Sequence, residues 1–223
     1  MNRIIVFDVN ETLLDVGALD PIFVRIFGDA TVRREWFGQM LQSAFVSTIT
    51  QTYRDFGAIG MSALAMVAER RGITLGDEDL PALGAGMRHL PPHPEVRRAM
   101  EQLHEAGFRL ATLTNSRAEV AEAQIANAGL GDLLEQMLSA DSVQRLKPAP
   151  EPYRMAAERF DVGIDAIRLV AAHSWDIAGA LSAGCAAAFV ARRGQVLDLS
   201  GAQPDIVGPT LTEVANQILA IDR

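Results

Sequence analysis

Apolar residues along the chain fall into two patterns. Five short continuous runs, Ile4 to Phe7, Phe108 to Leu113, Met137 to Ala140, Leu169 to Ala172 and Ala187 to Ala191, have the length and lack of alternation of strands buried on both faces of a parallel sheet. Between most of them the spacing is helical. Val96, Met100 and Leu103 share one face of Glu95 to Ala106, which Gly107 stops, and Val120, Ile125 and Ala128 do the same before Gly129. Pro152 to Phe160, and Ile177 to Ala183 with Gly184 behind it, complete the alternation. It predicts an α/β fold built on a doubly wound, Rossmann-like parallel sheet.

One interval breaks this rhythm. Roughly 100 residues separate the first two strands, although a parallel crossover needs only a dozen or so. That interval repeats apolar residues at helical spacing: Ile22, Phe23, Ile26 and Phe27; Trp36, Phe37, Met40, Leu41 and Phe45; Met61, Leu64, Met66 and Val67. The expected organisation is a core of residues 1–15 and 93–223 interrupted by an inserted helical cap domain, residues 16–92. The proline-stiffened Leu90-Pro91-Pro92-His93-Pro94 serves as the return linker.

Composition narrows the partners. The 223 residues are 49% hydrophobic and 22% charged, ordinary usage for a folded chain. A net charge of −8 disfavours nucleic acid. The single cysteine, Cys185, can make neither an internal disulfide nor a thiolate metal site, so the chain reads as cytoplasmic and Cys185 as a small buried apolar residue. Asp8 ends the first apolar run before it attains signal-peptide length, and no window approaches a membrane span, so no membrane association is expected.

In open α/β sheets ligands bind beyond the carboxyl ends of the strands. There the sequence places Asp8-Val9-Asn10-Glu11-Thr12, Thr114-Asn115-Ser116, Lys147-Pro148 and His173-Ser174-Trp175-Asp176. Each has a plainer reading: Asp8, Thr114, Asn115, Ser116 and Asp176 as helix caps, Lys147 as a solvated charge, His173 as a structural histidine. Together they would bring two carboxylates, a lysine, a hydroxyl and an amide to one crevice.

Asp8-x-x-x-Thr12, Thr114-Asn115, Lys147-Pro148 and Asp176, in this order along the whole chain, resemble the four motifs of the haloacid dehalogenase superfamily. Finer matches resemble its type II (S)-2-haloacid dehalogenase branch: Phe7-Asp8 through Thr12-Leu13, Tyr53-x-Asp55-Phe56, Lys147-Pro148 with Tyr153 behind it, and Trp175-Asp176 before Gly179-Ala180. The resemblance implies hydrolysis of short 2-haloalkanoic acids through an aspartyl ester, with inversion at C2. Asp8 would attack C2, Lys147 would keep it ionised, and Asp176 with Lys147 would activate the water. Thr114, Asn115 and the N–H groups around Val9 and Asn10 would bind the substrate carboxylate. Thr12 would orient Asp8, and Phe37 and Tyr153 complete the substrate-side residues. A homodimer is implied, helped by apolar cap residues such as Phe45, Ile49 and Met61.

Within the superfamily, phosphatases carry a second Asp two residues after the nucleophile and a further metal-binding carboxylate in the fourth motif. Here those positions hold Asn10, which cannot act as a carboxylic acid, and Ala172. The sequence therefore points to no metal and no cofactor, since a halide leaving group needs no proton and magnesium prefers carboxylate ligands. A magnesium-dependent small-molecule phosphatase stands as the alternative, and a scaffold that only binds as a third reading. The branch also places an arginine after the cap tryptophan, where Trp36 is followed here by Phe37. Losing that cation could cost on the order of 10²-fold in rate, and Arg25, Arg33, Arg34 and Arg54 are the candidates to replace it. Ala171 and His173 stand where the branch has Ser and Asn, which opens His173, oriented by Asp176, as a second candidate for activating water.

Overall fold

The computed structural model describes residues 2–222. Its six-stranded sheet is parallel throughout, in the order β3-β2-β1-β4-β5-β6. The strands are β1 (Ile4–Phe7), β2 (Leu110–Thr114), β3 (Gln136–Ser139), β4 (Ile167–Ala171), β5 (Ala186–Val190) and β6 (Ile206–Gly208). All residues of β1, β2 and β4 are buried, which explains their unbroken apolar runs. Alternate residues of β1 serve opposite faces. Ile5 and Phe7 pack with Val96, Met100 and Leu103 of α5 (Val96–Glu105) and Val214 and Ile218 of α9 (Leu211–Ile221). Ile4 and Val6 pack with Met155 and Phe160 of α7 (Pro150–Phe160) and Ile177 of α8 (Ser174–Ala183).

β1 coincides with its expected window, and the other four expected strands differ from theirs by one or two residues at each end. Phe108 and Arg109 precede β2, Ala140 belongs to a 3-10 turn, and β4 begins at Ile167, leaving Ala172 beyond its end. β6 and α9 lay outside the expected elements. Three residues are too few to register as an apolar run, and β6 is an edge strand whose Val207 is exposed. A buried cation secures this edge: Arg168 of β4 binds Asp205 and Asp222, which flank β6 and α9.

Between β1 and α5 the chain is helical: α1 (Asp20–Phe27), α2 (Val32–Ile49), α3 (Phe56–Arg70) and α4 (Asp79–Arg88). Gly28, at φ +73°, ends α1, and the Asp55 side chain caps α3 by accepting from Ala58 N at 2.7 Å. Trp36 ties α2 to α3 by donating to the Gly60 carbonyl at 2.8 Å. A core-side helix, α6 (Ala118–Asn127), follows β2. Among the described residues no helix is long and apolar enough to cross a membrane.

The chain turns one way from β1 to β2 and β3, and the other way from β4 to β5 and β6. The switch point therefore lies between β1 and β4, where a crevice opens at the carboxyl ends of the strands.

Candidate active site

Asp8 is the first residue past β1. Its N–H donates to Val170 O at 3.0 Å, which fixes its backbone to β4 and leaves its carboxylate at the switch point. Thr12 Oγ1 donates to Asp8 Oδ2 at 2.7 Å and accepts from Ala172 N at 3.0 Å, tying the two strand tips together. The plainer reading of Asp8 as a helix cap gives way to this contact set.

Lys147 reaches the same point from the loop before α7, through a cis peptide bond to Pro148. Asn115 places its backbone: Oδ1 accepts from Lys147 N at 2.8 Å and Nδ2 donates to Lys147 O at 3.3 Å. The Lys147 ammonium is fully buried and donates to Asp8 Oδ1 at 2.9 Å, Asp176 Oδ2 at 2.6 Å and Leu113 O at 2.9 Å. Its three N–H groups are thus spent on the protein. Burial works against this ammonium, yet Asp176 and Asp8 raise its pKa above that of an ordinary lysine. Burial alone would raise the Asp8 carboxyl, but Lys147, His173 and Thr12 hold it well below the usual carboxylate range. The Asp176 carboxyl is shifted upward instead, by burial, with Lys147 opposing and Asp8 adding to the rise.

Asp8, Asn10, Thr114, Asn115, Lys147, His173 and Phe37 line one chamber, joined by Leu41, Phe56 and Trp175. Its volume is only about 10 Å³, room for about one water. Phe37, Leu41, His173 and Trp175 also line an outer cleft of about 830 Å³, so they form the wall between the two spaces. The rings in that wall are layered, Phe37 on His173 with centroids 5.8 Å apart and His173 on Trp175 at 5.3 Å. Asn10 is held by Gln124, whose Nε2 donates to its Oδ1 at 3.0 Å. Among the described residues the Val9 and Asn10 N–H groups donate to no protein acceptor.

Other expected site residues lie behind the wall. Thr12 and Asp176 are fully buried. Tyr153, expected among the substrate-side residues, is 1% exposed and does not line the chamber. Its hydroxyl donates to Asp176 Oδ1 at 2.5 Å. Asp176 stands in the first turn of α8, but its carboxylate serves Lys147 and Tyr153 rather than the helix end. Gly179, one turn on, lets α8 approach this group: a Cβ there would sit 2.6 Å from Pro148 Cβ and from the Tyr153 hydroxyl.

His173 is the residue whose expected surroundings change most. Its partner is Glu11 rather than Asp176, Nε2 to Oε2 at 2.9 Å, and its Nδ1 lies 3.5 Å from Asp8 Oδ2. Burial opposes protonation, but Asp8 and Glu11 outweigh it and push the imidazole pKa up to about 9, so at neutral pH His173 is a cation. Glu11 escaped the sequence reading although it stands within the first motif, because nothing in the spacing shows that its side chain turns toward the fourth. None of Arg25, Arg33, Arg34 and Arg54 lines the chamber. Arg25 binds Asp79, and Arg33 binds Asp20 and approaches Glu11 at 3.5 Å.

The donor set does not suit a divalent cation. The Lys147 ammonium occupies the space between the two carboxylates that would have to share it, Tyr153 takes the far Asp176 oxygen, and Ala172 offers no ligand. Among the described residues no cluster of three or more His, Cys, Asp or Glu side chains is placed to hold a metal ion.

Residues 3–184 match the family described as haloacid dehalogenase-like hydrolase. The chain is 28% identical over 216 residues to (S)-2-haloacid dehalogenase 2 of Pseudomonas sp. (strain CBS-3), covering 96% of this chain and 94% of that one. It is 27% identical to haloacetate dehalogenase H-2 of Moraxella sp. (strain B), covering 96% of each. Its fold matches that of L-2-haloacid dehalogenase from Xanthobacter autotrophicus with chloropropionic acid covalently bound, at a TM-score of 0.92 and 23% identity, over 99% of this chain and 100% of that one.

Proposed function

The chain belongs to the haloacid dehalogenase-like hydrolases, and we propose that within them it hydrolyses the carbon-halogen bond of short 2-haloalkanoic acids. The observation that carries this reading is the Asp8–Lys147–Asp176 arrangement: an ionised, buried carboxylate at the switch point, held by an ammonium with no N–H to spare. Such a carboxylate suits attack on carbon.

In the first step an Asp8 oxygen bonds to C2, and the carbon-halogen bond breaks with both electrons leaving on the halide. An aspartyl ester forms with inversion at C2. Water then attacks the Asp8 carbonyl carbon, and the ester C–O bond breaks to release the 2-hydroxy acid and restore the carboxylate. The unpartnered Val9 and Asn10 N–H groups, with Thr114, are suited to the substrate carboxylate. Asn115 instead contributes by holding Lys147 in place. Of the two candidates for taking the proton from water, Asp176 is the better one, acting through the Lys147 ammonium that donates to it at 2.6 Å, since Asp176 itself does not line the chamber. It is a carboxylate whose pKa is raised, whereas His173 is a cation held by Glu11.

This chemistry is metal-independent, as the donor set supports, and the halide leaves as an anion without a proton. The reading extends to a homodimer: Val46 and Ile49 of α2 are exposed, whereas Phe45 packs on Trp175. Light scattering on the purified chain reads the dimer. The activity is tested by halide release from (S)-2-chloropropanoate and chloroacetate in EDTA, with one turnover in oxygen-18 water followed by mass spectrometry of the Asp8 peptide. Label in Asp8 is expected. No release from any 2-haloacid would end this reading.

A further inference from the structure

Thr12 is fully buried, and among the described residues no backbone N–H reaches its carbonyl. The donors come instead from Arg192, just past the end of β5: Nη2 donates to Thr12 O at 2.8 Å and Nε at 3.2 Å. The remaining branch, Nη1, donates to Glu95 Oε1, which also accepts from Leu211 N at the start of α9 at 3.2 Å. Buried carbonyls without a donor are rare and costly, so the guanidinium meets a need that the turn at Thr12 creates.

That turn carries the nucleophile. Leu13 N and Leu14 N both donate to Val9 O, at 2.9 and 3.0 Å, which folds residues 9–14 on themselves. Within the turn Glu11 sits at φ +61°, a left-handed conformation that a side chain of this size rarely adopts, and such strain persists only where the surroundings enforce it. The loop after β5 does so at two successive residues: Arg192 holds Thr12 O, and Gln195 Nε2 donates to Glu11 Oε2 at 2.7 Å. Beyond Thr12 the chain crosses into the helical segment and later returns alongside itself, with Asp15 N donating to Pro91 O at 2.8 Å and His93 N to Leu13 O at 3.0 Å. Arg192 therefore grips the chain between Asp8 and this double crossing, and Glu95, two residues past His93, holds the guanidinium from the returning side.

We propose that Arg192, fixed by Glu95, is a positioning residue for the nucleophile: by holding Thr12 O it keeps Thr12 Oγ1 on Asp8 Oδ2. The inference rests on the dehalogenase reading for the effect of this placement on rate. Lys147 holds Asp8 Oδ1 at 2.9 Å and Thr12 holds Oδ2 at 2.7 Å, so these two contacts set the plane of the carboxylate. A shift of the turn breaks the Thr12 Oγ1 contacts to Asp8 and to Ala172 N together and frees the carboxylate to rotate. Attack on C2 needs an Asp8 oxygen in line with the carbon-halogen bond, and a misplacement of about 1 Å costs on the order of 10²-fold in rate. Arg192 itself does not line the chamber, so it acts only through Thr12.

Two variants and two readings test this. Arg192→Met removes every donor, and Arg192→Lys keeps the charge but not the planar fork. With (S)-2-chloropropanoate, kcat is expected to fall about 10- to 100-fold in Arg192→Met and less in Arg192→Lys, while KM stays within about 3-fold of the native value. Ethylguanidinium is expected to restore part of the loss in Arg192→Ala, with saturation. Amide hydrogen exchange on the resting protein gives the reading that a merely structural contact does not: faster exchange confined to residues 8–14 and to Ala172, whose N–H rests on Thr12 Oγ1, with the β5–β6 pairing unchanged. Native kcat in Arg192→Lys and in a folded Arg192→Met, or exchange that quickens equally through β5 and β6, would overturn the proposal. If Arg192→Met does not fold, Arg192→Lys decides by the same two readings. Failure of the dehalogenase reading shows separately: the native chain then releases no halide from any 2-haloacid, while the confined exchange in the variants still reports the clamp on Thr12.

Discussion

Tyr153 holds Asp176 from below: its hydroxyl donates to Oδ1 at 2.5 Å while Lys147 holds Oδ2 at 2.6 Å. Tyr153→Phe removes the donor and leaves a fully buried carboxylate oxygen without a partner. That costs about 1–3 kcal/mol, read as a shift of the urea midpoint at unchanged slope. The chemical effect should fall on the second step, since Asp176 serves the water and not the attack on C2. Rapid-quench kinetics are expected to show a burst of halide followed by slowed turnover. A variant with equal loss in both steps would place Tyr153 elsewhere in the mechanism.

Lys147→Met deletes the charge between two buried carboxylates. Removing one member of a buried ion pair typically costs about 3–5 kcal/mol, and here two anions are left uncompensated. We expect a strongly destabilised protein that regains stability as the pH is lowered and the carboxylates take up protons. Halide release should be lost, because the group that keeps Asp8 ionised is gone. Thermal unfolding between pH 4 and 8 checks the first expectation and a halide assay the second.

The pH dependence is expected on the alkaline side. The Asp8 pKa lies below the usual carboxylate range, so the nucleophile stays ionised through the mildly acid region and does not set an acid limb there. His173, raised from 6.5 to about 9, contributes stability that is fully present below pH 6.5 and lost as the pH rises through 9. The shift corresponds to about 3 kcal/mol. Denaturant titrations at pH 6 and 10 in the native chain and in His173→Gln test this: the native chain loses stability between them, and the loss is expected to shrink in the variant.

Gly179→Ala inserts a methyl group 2.6 Å from both Pro148 and the Tyr153 hydroxyl. Helix propensity favours alanine by about 1 kcal/mol, but the clash must push α8 away from the Lys147–Pro148 loop. Net destabilisation and at least a 10-fold loss of kcat are expected, with a smaller change in KM, because the displaced groups touch Asp176 and Lys147 rather than the substrate. Equal or greater stability in the variant would show that α8 yields without cost.

Much of the architecture was legible because strands buried on both faces must be apolar without interruption. Ile4 to Phe7 could hardly be anything else, and Asp8 behind it had to lie at a strand tip. The edge was less legible: β6 is three residues long and held in part by Arg168 gripping Asp205 and Asp222, a contact between distant segments that leaves no local pattern. The same applies to Tyr153, whose place in the motif pointed to the substrate but whose packing points to Asp176.

By itself the sequence determined the alternating core, the inserted helical segment and the polar residues that meet at the switch point, since burial and periodicity act along the chain. Tertiary structure alone decided which polar atoms pair. Glu11 rather than Asp176 faces His173, and that choice turns a candidate base into a cation, because a protonation state follows from the charges within a few ångströms and not from the order of residues.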